Sequence, residues 1–75
     1  MAPSQKRMNA VAAAIGERIA TLRRAAGMTQ AELAERVGST AAVLSRVETG
    51  RELASVQRMI EIAGALGCEL PDLVA

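Results

Sequence analysis

Residues 29–51 read TQAELAERVGSTAAVLSRVETGR, and they divide into two short helices joined by a tight turn. Thr29 is a good N-cap, and Glu32 follows three residues on. The two make a capping box, in which each side chain satisfies a backbone N–H of the other. The first helix is expected over residues 30–37 and ends at Gly38, because glycine tolerates the left-handed conformation that closes a helix. Ser39 and Thr40 follow, and Thr40 can cap a second helix that runs through Ala41, Ala42, Val43, Leu44, Ser45, Arg46 and Val47 and closes at Gly50.

The apolar spacing organises this stretch. Leu33 and Val37 lie four apart, Leu44 and Val47 three apart, and each pair makes one stripe on its helix. Ala34 stands where the helices would cross, and its small side chain permits close approach. Gln30, Ala41, Ala42 and Arg46 are left outward. A helix pair that buries one face and presents the start of its second helix can set that helix in the DNA major groove. The same spacing also fits any small helical hairpin.

Length and composition narrow the field. Seventy-five residues make one domain with a marginal core, which close packing or dimerisation would reinforce. There is no Phe, Tyr or Trp, so Leu, Ile, Val, Met and Ala must build the core, and no run alternates long enough to be a strand. The expectation is an all-α fold. With no His and one Cys, a nitrogen–sulfur zinc site cannot be assembled within one chain, and His-based catalysis is excluded. The acidic residues are interleaved with Arg and Lys, and no Gly-rich phosphate loop is present, so no enzyme activity is expected. Cys68 is read as a small apolar side chain, with a redox switch as the alternative. The absence of a disulfide pair suits a reducing cytosol. The opening MAPSQKRMNAVAAAIG is interrupted by Glu17 and Arg18 too soon for a secretory signal, and nothing approaches the roughly 20 apolar residues that span a membrane. Formal charge is only +1, but it is split: residues 1–51 carry +4 and residues 52–75 carry −3, which would turn one end toward a polyanion.

Along the chain, residues 1–8 lack apolar periodicity and are expected to be a mobile basic arm, either a frayed terminus or, through Lys6 and Arg7, a phosphate or minor-groove contact. The domain proper is expected over residues 9–75. A first helix over about residues 10–26 carries the stripe Val11, Ile15, Ile19 and Leu22. Gly16 costs it about 1 kcal/mol relative to Ala, so it could start nearer Ile15. Met28 and Leu33 flank the Thr29 cap as a hydrophobic staple. Ser55 caps a further helix from Val56 to about Leu66, with Val56, Met59, Ile60, Ala63 and Leu66 on one face and Gly67 as its end. Pro71 and Asp72 suit the first turn of a short last helix. Leu70, Leu73 and Val74 either fold back on the core or meet a second copy as a dimer interface.

Taken together, IGERIATLRRAAGMTQAELAERVG, then LSRVETG, then IEIAGALGCELPDL resemble the Cro/C1-type (Xre) helix-turn-helix family, which includes the lambdoid phage repressors. The resemblance covers about residues 15–74. It implies a compact five-helix bundle, no cofactor or metal, and binding as a homodimer to inverted repeats in operator DNA. It also implies roles by position. Gln30 would touch phosphate and brace the reading helix. Ala41, Ala42, Val43, Ser45 and Arg46, following Thr40, would face or flank the groove. Arg23 and Glu48 would form an internal salt bridge. Thr49 and Arg51, with Gln30, would grip the phosphate backbone; Thr40 and, from the basic arm outside the resemblance, Lys6 and Arg7 are expected to add phosphate contacts.

Departures from the family pattern bear on mechanism. Phage repressors often carry long polar residues where Ala41 and Ala42 stand here. Alanines make no hydrogen bonds to base edges but can meet a thymine methyl group or let the helix lie deeper. Arg46 then becomes the candidate for direct reading of a guanine, with a phosphate clamp as its alternative. Ser39 replaces the apolar residue usual after the turn glycine. Shape readout of the DNA would supply part of the specificity. The expected function is a cytoplasmic transcriptional regulator, a homodimeric repressor. The alternative is an antitoxin or other module that binds a regulatory protein partner.

Overall fold

The computed structural model describes residues 4–74. Five helices follow one another: α1 (Gln5–Ala25), α2 (Gln30–Arg36), α3 (Ala41–Glu48), α4 (Val56–Leu66) and α5 (Pro71–Val74). No strand occurs among the described residues. Four of the starts have the same cause. The hydroxyls of Ser4, Thr29, Thr40 and Ser55 accept the backbone N–H three residues on, from Arg7, Glu32, Val43 and Arg58. At Thr29 the box is complete: the Glu32 carboxylate accepts the Thr29 N–H at 3.0 Å, and the Thr29 hydroxyl accepts the Glu32 N–H at 3.1 Å. The backbone and hydroxyl of Thr29 together hold the Glu32 carboxyl below its ordinary range.

Two expectations for the first helix need correction. The first helix begins at Gln5, five residues before the expected start, because Ser4 supplies a cap that a search for apolar stripes overlooks. Lys6 and Arg7 therefore stand exposed on regular helix, not on a mobile arm; residues 1–3 lie outside the described residues. The buried face of α1 is also rotated. It consists of Ala12, Ile15, Gly16, Ile19, Ala20 and Arg23, while Val11 is exposed. Small residues on this face let α3 come close. A Cβ placed on Gly16 would stand 2.7 Å from the Glu48 carbonyl oxygen and press on that of Val47 as well.

The core takes one fully buried large side chain from each helix: Ile19, Leu33, Leu44, Ile62 and Leu73. Met28, Val37, Val47, Ala54 and Met59 fill the space between them. Leu73 at 1 % exposure is thus an internal residue, and Leu70 is partly buried against the same core, so of the expected dimer residues only Val74 is presented outward. On α4 the inward residues are Met59, Ile62 and Ala63, whereas Val56 and Ile60 are 60 % and 54 % exposed. Ile62 takes the place expected for Ile60, because α4 carries more apolar residues than one face can bury. Arg58 donates to the Val37 carbonyl and ties α4 to the end of α2, and Arg18 reaches the Asp72 carbonyl at 3.2 Å and ties α1 to α5.

Candidate nucleic-acid interface

The turn between α2 and α3 is closed by its own backbone. Gly38 has φ +65°, and the Ser39 N–H returns to the Ala34 carbonyl at 2.8 Å. A glycine is needed there because other residues meet their own Cβ in that conformation. The closure delivers Thr40 to the cap of α3, where its hydroxyl accepts from the Val43 N–H at 3.2 Å. That hydroxyl starts the helix as an acceptor and keeps its own O–H to donate.

From Thr40 onward α3 divides into two faces. Leu44, Val47 and Glu48 are buried. Ala41, Ala42 and Arg46 are exposed, and Val43 and Ser45 are half-buried at the margin. Every residue named from the sequence as a base reader therefore lies on the outer side or rim of one short helix. The outer side is smooth at its start, with two methyl groups, and carries a single long cation at its end.

The buried side is held by a polar cluster. Arg23 on α1 donates to both carboxylate oxygens of Glu48, Nε to Oε2 at 2.7 Å and Nη2 to Oε1 at 3.0 Å, and its Nη1 donates to the Met28 carbonyl at 2.8 Å. Gln30 Nε2 donates to the same Glu48 Oε1 at 3.0 Å. Three helices thus meet at one carboxylate. Burial alone would raise the Glu48 carboxyl, but hydrogen bonds from Arg23 and Gln30 and the charges of Arg23 and Arg24 outweigh it, and the net shift is downward. The bond to Glu48 raises Arg23 further, against the effect of its burial. Among the described residues no buried side-chain polar atom is left unpaired. The amide nitrogen of Gln30 faces inward onto Glu48, which is a bracing contact.

Beyond Glu48 a second chain of contacts links the end of α3 to the following loop. The Thr49 hydroxyl donates back to the Ser45 carbonyl at 2.7 Å, and Arg51 Nε donates to that hydroxyl at 3.2 Å. Arg46 Nε donates to Glu52 Oε1 at 3.2 Å. Arg51 and Glu52 both donate their backbone N–H to the Arg46 carbonyl, at 2.9 and 3.1 Å. Arg46, Thr49 and Arg51 are therefore brought together at the end of α3, while Lys6 and Arg7 lie on the first turns of α1.

Sequence reasoning missed Glu52, which it counted only among the acids of the C-terminal third. The available signal was the glycine closure at Gly50, which returns the next two residues to the carbonyl of Arg46. It also missed Arg58, whose bond to a helix-end carbonyl leaves no mark in local sequence. Among the described residues no cluster of His, Cys, Asp and Glu could hold a metal ion, and no helix is long and apolar enough to cross a membrane. Burial and the neighbouring Asp72 and Glu69 push the Cys68 thiol up, which keeps it protonated.

Comparison with known proteins places this geometry. A family model described as helix-turn-helix matches residues 19–73. An uncharacterized HTH-type transcriptional regulator, y4dJ of Sinorhizobium fredii, is 40 % identical over 60 residues, covering 80 % of this chain and 78 % of the relative. Among solved structures, the restriction-modification controller protein C.AhdI from Aeromonas hydrophila superposes with a TM-score of 0.83 at 31 % identity, over 87 % of this chain and 94 % of that one. The clp gene regulator ClgR from Corynebacterium glutamicum superposes with a TM-score of 0.82 at 30 % identity, over 84 % of this chain and 67 % of that one.

Proposed function

The chain belongs to the Cro/C1-type helix-turn-helix family, and on that premise we propose that it is a DNA-binding transcriptional regulator, a homodimeric repressor of an inverted-repeat operator. The observation that carries the reading is the outer side of α3, which is free of core duties and ends in Arg46 beside Thr49 and Arg51. The relative named as an HTH-type transcriptional regulator and the structural neighbour named as a clp gene regulator support it.

In this reading α3 lies in the major groove. Ala41 and Ala42 meet thymine methyl groups, Val43 and Ser45 line the rim, and Arg46 addresses a guanine. Arg51 and Thr49 take phosphates, with Gln30, Thr40, Lys6 and Arg7 at the edges of the footprint, and these contacts set register without reading sequence. The role is one of binding, with no catalysis, no cofactor and no metal, and its place is the cytoplasm. Two copies bind the two half-sites. Their contact uses the exposed apolar pair Val56 and Ile60, one turn apart on α4, in place of the buried Leu73. Those same residues, with exposed Leu53, are the observation that favours the second reading, an antitoxin-like module bound to a partner protein.

Fluorescence anisotropy tests the reading. The purified protein is titrated onto a duplex from its own promoter region and onto a scrambled duplex of equal length, at two salt concentrations. Preference for the promoter by roughly a thousandfold or more, weakening with salt, is the expected result. Equal, weak binding to both duplexes, with a protein partner recovered by pull-down, would replace it with the second reading.

A further inference from the structure

The ion pair at the outer end of α3 has an uneven geometry. Among the described residues its one hydrogen bond is Arg46 Nε to Glu52 Oε1, at 3.2 Å, and both side chains are nearly half exposed. The two Nη groups of Arg46 have no protein partner among the described residues. A guanidinium has five N–H donors in a planar fork, and the Nη edge is free to make two parallel bonds while Nε is occupied. Glu52 is itself placed by the backbone, since its N–H donates to the Arg46 carbonyl at 3.1 Å. The same two residues are thus joined at the main chain and again at the side-chain ends.

The geometry points to Glu52 as a positioning residue that determines specificity: it holds Arg46 by Nε so that the Nη edge addresses guanine O6 and N7. This rests on the DNA-reading function proposed above. Three physical arguments join this geometry to that role. A free arginine on a helix surface has many rotamers, and the nearest anionic phosphate would capture it; a tethered Nε removes much of that freedom before DNA arrives. The tether is exposed, so it contributes little to folding and its effect belongs to binding. Finally, a carboxylate beside the groove is repelled by every phosphate, so it weakens indiscriminate binding wherever Arg46 does not find its base. With Ala41 and Ala42 unable to hydrogen-bond to bases, the orientation of this one cation decides much of the sequence preference.

Selection of duplexes from a random library by the wild-type protein identifies its site. Every single-base-pair variant of that site is then titrated with the wild type, Arg46→Ala, Glu52→Ala and Glu52→Gln. Arg46→Ala should flatten preference at one base pair of each half-site, by roughly tenfold, within the range that one bidentate contact supplies. Glu52→Ala should flatten the same base pair, by about fivefold or more, while its affinity for unrelated duplexes stays level or rises. Glu52→Gln keeps an acceptor for Nε and should keep the preference. The inference is overturned if Glu52→Ala discriminates at that base pair within about twofold of the wild type, or if it loses affinity evenly for all duplexes. A wild-type protein that selects no site would overturn the DNA-reading function itself, and this inference with it.

Discussion

Arg23 and Glu48 are 25 residues apart in sequence and meet in a two-pronged pair, 2.7 and 3.0 Å, at the junction of α1 and α3. Gln30 adds a third donor from α2 to the same carboxylate. Because both charges are buried, each depends on the other. Arg23→Met leaves the Glu48 carboxylate without its main partner. We expect it to cost about 3–5 kcal/mol, measured by urea unfolding, out of the roughly 5–15 kcal/mol that a domain possesses.

The same pair sets a pH response. The Glu48 carboxyl is held below its ordinary value by its partners. Its stabilising contribution is therefore fully present above the unfolded value of about 4.3 and is lost as the pH falls through the lower folded value. Thermal unfolding followed from neutral pH into the acid range should show this loss in the wild type. Glu48→Gln, which does not titrate, should start less stable at neutral pH and decline less steeply on acidification.

Two helical glycines should respond to alanine with opposite signs. Alanine is a better helix former than glycine by about 1 kcal/mol. At Gly64 a new Cβ meets nothing within 4 Å, so Gly64→Ala should raise the melting temperature. At Gly16 it collides with the backbone carbonyls of Val47 and Glu48, and α3 must shift to admit it. Overpacking of this kind costs about 1–3 kcal/mol or more, which cancels or exceeds the propensity gain. Gly16→Ala should melt lower than wild type and bind its operator more weakly.

On α4, Val56 and Ile60 are exposed and one turn apart. If they join two copies, Ile60→Glu should convert the dimer to a monomer in sedimentation equilibrium while circular dichroism and melting temperature stay near wild type. An unchanged dimer mass would assign the contact elsewhere.

Arg51 and Arg46 should separate cleanly by salt and sequence. Arg51→Ala should weaken binding to every duplex alike and lower the salt slope by about one phosphate's worth. Arg46→Ala should relax one base pair and leave the others as they were. Titration at several salt concentrations distinguishes the two patterns.

The helix starts and the turn of the reading unit were legible because their causes are local. Thr29, Thr40 and Ser55 each precede a helix, and Gly38 closes one, all within four residues of what they control. Faces were harder to read. Apolar residues make up 51 % of the chain, more than one stripe per helix can hold, so the choice between Ile60 and Ile62, or between Val11 and Ala12, is made by packing between distant elements. The helical state of residues 5–9 leaves little trace in the sequence for a related reason: they bury nothing, and a capping serine alone marks their start. The Arg23–Glu48 pair was anticipated only through family resemblance, since no local spacing joins residues so far apart. The Arg46–Glu52 contact was not anticipated at all, because it depends on how the chain turns after α3.

On α3 only Val43, half-buried against the core, serves both purposes. Leu44, Val47 and Glu48 fasten the helix, while Ala41, Ala42, Ser45 and Arg46 are turned to the outside or its margin. The helix is in effect an exchangeable key blade on a fixed shank. A new set of outer residues grafted onto these four positions would inherit the old mounting, so under the DNA-reading function proposed here a few substitutions would change the sequence that is read without renegotiating the fold.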